Sequence, residues 1–171
     1  MSSSKPSADE AQAALAALPR YLRTRVRSAR EAADYLIRRG VPPQAALRAV
    51  ADCRARGLLD DRACARLWAE QWARRGYAAS AIRLKLAARG LPDEVIADAT
   101  RAYGAPADEE ARARLAAAAA RRRGARQAGL PAAPKKDLTR AAQAGRLARG
   151  LAARGFEADL IERIVGESLP S

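Results

Sequence analysis

The sequence predicts an all-α protein of three tandem three-helix repeats stacked into an elongated, curved helical solenoid. Three observations predict it. One layout is written three times, in SAREAADYLIRRGVPPQAALRAV (28–50), AASAIRLKLAARGLPDEVIADAT (78–100) and TRAAQAGRLARGLAARGFEADLIERIV (139–165). Each copy is an apolar-periodic helix ending in Arg-Gly, one large apolar residue and a second helix; aligned on Gly40, Gly90 and Gly155, the copies lie 50 and 65 residues apart. Strand signals are missing, with aromatics only 4% of the chain and no alternating Val, Ile and Thr runs. The helix stops are legible as well: an apolar residue, a glycine four later and a second apolar residue recur at Leu36/Gly40/Val41, Cys53/Gly57/Leu58, Trp72/Gly76/Tyr77, Leu86/Gly90/Leu91 and Leu151/Gly155/Phe156. This is the Schellman ending, in which the residue after the glycine packs back over the last turn. Arginines precede all five glycines, where the helix dipole favours cations.

The elements follow in order. Residues 1–14 are expected to be a disordered tail, and 15–57 the first repeat. Its first helix, 15–26, is interrupted by Pro19, which can delay its start. Its second, 29–39, opens on the capping box of Ser28 and Glu31. Its third, 43–56, carries Pro42 and Pro43 at its entry, where a missing N–H costs nothing. In the second repeat, 58–104, a helix over 60–75 is capped by Asp60 and Asp61 and carries Cys64, Leu67, Trp68 and Trp72. Helices over 78–89 and, after Pro92, 93–103 complete it. The third repeat, 105–171, holds helices over 107–123, 137–154 and 157–168. Its first helix is polar apart from Leu115 and a run of Ala, so weak packing is expected, and a basic loop, GARQAGLPAAPKK (124–136), follows.

Charge narrows the function. The chain has 32 Lys+Arg against 19 Asp+Glu, a net +13, which points to a polyanionic partner: nucleic acid or a protein–nucleic acid assembly. Joint enrichment in Ala and Arg is also what GC-rich coding produces, a rival reading for part of the arginine. Catalysis fails on inventory. There is no His, and no Gly-rich loop to cradle a phosphate, so neither an enzyme nor a cofactor is expected. Cys53 and Cys64 lack metal or disulfide spacing and read as buried thiols of a reducing cytosol. Asp60–Asp61 reads as capping rather than as a metal site. The start MSSSKPSADE has no apolar core of a signal peptide, and no run of 18 apolar residues exists to span a membrane. Trp68 and Trp72, four apart on one face, read as core, as do Tyr35, Tyr77 and Phe156.

The arginines and lysines are then the carriers of binding. Arg38, Arg39, Arg74, Arg75, Arg89 and Arg154 recur just before the glycines, which stacked repeats would place along one edge. Arg83, Lys85, Arg121, Arg122, Arg123, Lys135 and Lys136 have less structural reason to be basic. All thirteen are candidate partner contacts.

The ordered set YLRTRVRSAREAADYLIRRGV, VADCRARGLLDDRACARLWAEQWARRGYAASAIRLKLAARGLPDEVI and GRLARGLAARGFEADLIERIV resembles the RecX family, regulators of the RecA recombinase, over roughly residues 17–168. Cys64-Ala65 stands where the family usually has Phe-Ala, Ala32-Ala33 replaces Glu-Leu after the capping box, and the 124–136 loop is long. The resemblance implies a cytoplasmic binding protein of DNA repair, recombination and the SOS response. It would lodge as a monomer in the RecA–single-stranded DNA filament and limit filament growth, strand exchange and ATP hydrolysis, with duplex DNA bound only weakly and no membrane involved. The rival is a direct DNA binder, with 78–103 as a helix-turn-helix. Against it, Asp93, Glu94 and Asp98 stand where base-reading residues should project. A helical adaptor without nucleic acid fits the charge less well.

Overall fold

A computed structural model describes residues 8–128 and 140–169. Nine α-helices are present among them: α1 (Ala8–Thr24), α2 (Ala29–Arg38), α3 (Pro43–Ala55), α4 (Asp61–Arg74), α5 (Ala79–Ala87), α6 (Asp93–Thr100), α7 (Pro106–Ala128), α8 (Arg140–Ala152) and α9 (Ala158–Ser168). A 3-10 turn over Arg101–Tyr103 follows α6. The fold is all-α, as the periodicity predicts. All five stop glycines adopt the left-handed conformation, with φ between 70° and 84°. The residue after the glycine donates its N–H back to the carbonyl expected of a Schellman ending at Val41 (3.1 Å), Leu58 (2.8 Å), Tyr77 (3.1 Å) and Phe156 (3.4 Å).

Three expectations are corrected. The helix begins at Ala8, not 15, so residues 8–14 are no tail; residues 1–7 lie outside the described residues. The segment is rich in Ala and carries Asp9 in its first turn, both favourable to a helix start. Pro19 sits inside α1 without ending it. Such a proline costs about 3 kcal/mol, offset by burial of Ala14 and Leu18 and by packing of Leu15, Tyr21 and Leu22 on the core. Helix α7 runs through 124–128, the first part of the expected loop. Gly124 costs it only about 1 kcal/mol, and no proline follows until Pro131.

The described chain forms two compact units, Met1–Trp68 with Lys85–Ala99, and Ala69–Leu84 with Thr100–Ser171. This division does not follow the repeat boundaries, because α4 and α5 contribute to both units. In the first unit α1, α2 and α3 pack together around Leu18, Leu36, Val41, Val50 and Cys53. In the second, α7, α8 and α9 close on Leu151, Phe156 and Ile164. Helix α7 does not pack weakly. Ala113, Ala116 and Ala117 are its buried face, while Leu115 is 47% exposed. Small side chains let neighbouring backbone come close: a Cβ placed on Gly76 would lie 2.9 Å from that of Ala116.

Candidate partner interface

The start of α2 organises the first unit. Ser28 Oγ accepts the N–H of Glu31 (3.1 Å), and the Glu31 carboxylate accepts the N–H of Ser28 (3.1 Å), completing the predicted capping box. The same hydroxyl donates to the carbonyl of Arg89 at 2.7 Å. Asp61 was expected to cap α4, and here the structure differs. Asp60 does that alone, accepting the N–H groups of Arg62 (2.9 Å) and Ala63 (3.0 Å). Asp61, only 9% exposed, accepts the N–H of Ala29 at 2.8 Å and pairs with Arg54. An acid at the first position of one helix thus satisfies the first orphan donor of another. Arg89 pairs with Glu31 at 2.9 Å and lies 4.2 Å over the Trp68 ring.

The second unit repeats this arrangement at the start of α5. Glu109 on α7 accepts the N–H of Ala79 at 3.0 Å. The turn at Gly155 closes over it, with Ala78 N–H donating to the Arg154 carbonyl (2.9 Å) and the Ser80 hydroxyl to the Gly155 carbonyl (2.8 Å). Arg154 donates to the Gly150 carbonyl at 2.7 Å, 6.0 Å from the Tyr77 ring.

These two joints decide the fate of the thirteen candidate cations. Arg89 and Arg154 are half-buried within the joints and engaged there, so their recurrence before glycine has an intramolecular use. Arg38, Arg39, Arg74, Arg75 and Arg83 are exposed. Of these, Arg39 lies 5.5 Å from the Tyr35 ring, Arg74 pairs with Glu70 (2.5 Å) and Arg83 donates to Thr100 (3.3 Å). Lys85 is half-buried. Arg121, Arg122 and Arg123 are exposed together on α7, the longest run of cations that the structure gathers among the candidates. Lys135 and Lys136 lie outside the described residues. Missed from sequence was Arg62, which reaches Glu94 (3.7 Å) and Asp98 (3.4 Å). Two of the three acids of α6, Glu94 and Asp98, are thus engaged by Arg62, and an acidic surface is a poor face for reading bases.

Cys53 and Cys64 are buried free thiols. Burial pushes the Cys64 thiol up to about 11, with Asp61 adding to the shift, and it donates to the Arg27 carbonyl at 3.1 Å. Such a thiol is a poor nucleophile at neutral pH. Among the described residues no group of three His, Cys, Asp or Glu could hold a metal ion, and no helix is long and apolar enough to cross a membrane.

Residues 60–99 match the family model of the second three-helix domain of RecX. Among solved structures, the chain superposes on RecX from Lactobacillus salivarius with a TM-score of 0.66 and 19% identity, over 95% of this chain and 98% of that one. A crystal structure of regulatory protein RecX gives a TM-score of 0.65 and 22% identity, over 92% of this chain and 72% of that one. No curated protein matches in sequence. The resemblance to RecX read from the residues is borne out, in sequence over the second three-helix segment and in fold over nearly the whole chain.

Proposed function

We propose that this chain is a regulator of the RecA recombinase, binding the RecA–single-stranded DNA filament and limiting its growth, ATP hydrolysis and strand exchange. One observation carries the reading: residues 60–99 match a RecX domain within a chain whose helices follow the RecX fold over 95% of its length. The net +13 supports it, because a groove holding DNA attracts a basic protein. The protein acts in the cytoplasm as a monomer, without catalysis of its own. Arg121, Arg122 and Arg123 are its strongest candidate contacts to the filament, with Arg38, Arg39, Arg74, Arg75, Arg83, Lys85, Lys135 and Lys136 as further ones. The acidic strip of α6 disfavours the rival helix-turn-helix reading.

RecA-catalysed ATP hydrolysis on single-stranded DNA tests this. The chain should slow it well below one copy per RecA protomer, since blocking a growing end stops many protomers from joining. Reversing Arg121, Arg122 and Arg123 to Glu should raise the concentration needed and flatten its salt dependence. Each lost phosphate contact should reduce the log–log slope by about 0.7. A need for stoichiometric coating of the strand would favour simple competition, and no effect on hydrolysis would sink the reading.

A further inference from the structure

We propose that a groove on the first unit is a docking site for an extended acidic peptide that carries alternate large apolar side chains. The site goes beyond filament regulation, because it needs neither RecA nor DNA.

A hollow of about 450 Å³ opens between the end of α1, the connector to α2, the turn at Gly57 and the start of α4. That volume lies within the usual range of ligand pockets. Three large aliphatic residues stand partly exposed around it: Val26 (37%), Leu58 (39%) and Leu67 (39%). Singly such exposure is ordinary, but three around one concavity form a patch that an apolar partner would cover.

The rim has a different character. Arg23, Arg25 and Arg27 line the hollow at every second position. The Arg27 guanidinium is held 4.1 Å over the Tyr21 ring, and its Nε is buried without a hydrogen-bond partner. That nitrogen is out of a ligand's reach, so the cations open to an anionic ligand are the exposed Arg23 and Arg25. The one acid on the rim, Asp60, already spends an oxygen on the N–H groups of Arg62 and Ala63. Charge complementarity therefore asks for carboxylates, and the aliphatic wall asks for apolar side chains between them. An extended peptide supplies both, since its successive side chains point to opposite sides. Nucleic acid fits less well: the lining offers no aromatic face on which a base could stack, and the aliphatic wall gives nothing to a sugar-phosphate backbone.

The probe is a fluorescein-labelled peptide, Glu-Leu-Glu-Phe-Glu-Leu-Glu, titrated with the full chain and followed by anisotropy. Saturable binding is expected, weakened about tenfold or more by Val26→Asp with Leu58→Asp, and several-fold by Arg25→Glu. Replacing the probe's Leu and Phe by Ser should weaken it to the same degree as the groove variant. Should the double variant lose its helical circular dichroism, Val26→Thr with Leu58→Gln decides instead, with a smaller weakening in the same direction. Absence of saturable binding, equal binding of the Ser probe, or parental affinity in the folded groove variants would each overturn the proposal. Displacement of the probe by an oligothymidine as readily as by unlabelled peptide would overturn it too, in favour of a nucleic-acid surface.

Discussion

The starts of α2 and α5 perform one task with different side chains. Each is a helix N-terminus whose first N–H is accepted by an acid from another helix: Asp61 for Ala29, and Glu109 for Ala79. Each is also covered by an Arg-Gly turn whose carbonyl accepts a hydrogen bond, from the Ser28 hydroxyl in one case and from the Ala78 N–H and Ser80 hydroxyl in the other. The acids come from different registers. Asp61 is the first residue of α4, whereas Glu109 lies further into α7, where the longer side chain makes up the reach. The first joint adds Arg54–Asp61, Glu31–Arg89 and the stacking of Arg89 on Trp68; the second relies more on backbone and small side chains. What repeats, then, is the satisfaction of orphan donors and the close approach at a left-handed glycine, while the side chains around them are free to differ.

The turns should separate the joints most strongly. A Cβ on Gly155 would stand 2.7 Å from the Ala81 Cβ and 3.3 Å from its backbone nitrogen, both fixed. On Gly90 it would stand 2.7 Å from the Arg30 Cβ and closer still to its Cγ; the outer atoms of Arg30 can swing away, but its Cβ is as fixed as that of Ala81. Both alanine substitutions incur the left-handed strain of about 1–2 kcal/mol. Both should lose a further amount of about 1–3 kcal/mol from overpacking, Gly155→Ala the more because the Ala81 backbone stands beside its Cβ as well. Urea unfolding of both variants measures this, and equal losses would mean the second joint yields as easily as the first.

Removing the acids reverses the order on a smaller scale. Asp61→Ala leaves a buried N–H without its acceptor and Arg54 without its partner, a loss of about 2–3 kcal/mol. Glu109→Ala removes a half-buried cap, a loss of about 1 kcal/mol. The same unfolding experiment should find the first variant weaker; the reverse ranking would overturn the assignment of the charge-rich joint as the more dependent on its acid.

The smallest effect is a local one. Cys64 donates to the carbonyl just before Ser28, so in a Cys53→Ala background its thiol reports on the first joint alone. Its raised value means that the neutral thiol is favoured by folding: that stability is fully present below the ordinary value of 9.0 and is lost as pH rises toward about 11. At pH 8 a disulfide reagent should therefore react far more slowly with the folded chain than with the unfolded one. Asp61→Ala should speed the reaction and Glu109→Ala should not. Equal acceleration by both would show that the joints open together.

Much of the helical framework was legible because its signals are local. Five glycine stops, the capping box at Ser28 and prolines at the first turns act within a few residues, so pattern suffices to place them. The errors fall where a distant surface intervenes. Pro19 should weaken a helix, yet burial of Leu18 holds α1 together through it. The alanines of α7 carry no hydrophobic signal, yet they are the face that permits close packing. The candidate interface was less legible still. Arginine reads the same whether it faces solvent, as Arg121 to Arg123 do, or is drawn into a joint, as Arg89 and Arg154 are. The alternating Arg23, Arg25 and Arg27 were visible in the sequence, but not the hollow they surround.

The sequence by itself determined the helical class, the left-handed stops and the net +13, because periodicity, glycine conformation and charge are properties of the chain alone. Only the tertiary structure decided that Asp61 caps Ala29 rather than its own helix, that Arg112 is buried beside the Tyr103 carbonyl to which it donates, and that Leu115 faces solvent. The reason is one of range. A hydrogen bond or an apolar contact acts over a few ångströms, and which groups come that close is settled by helices that meet from far apart in the chain.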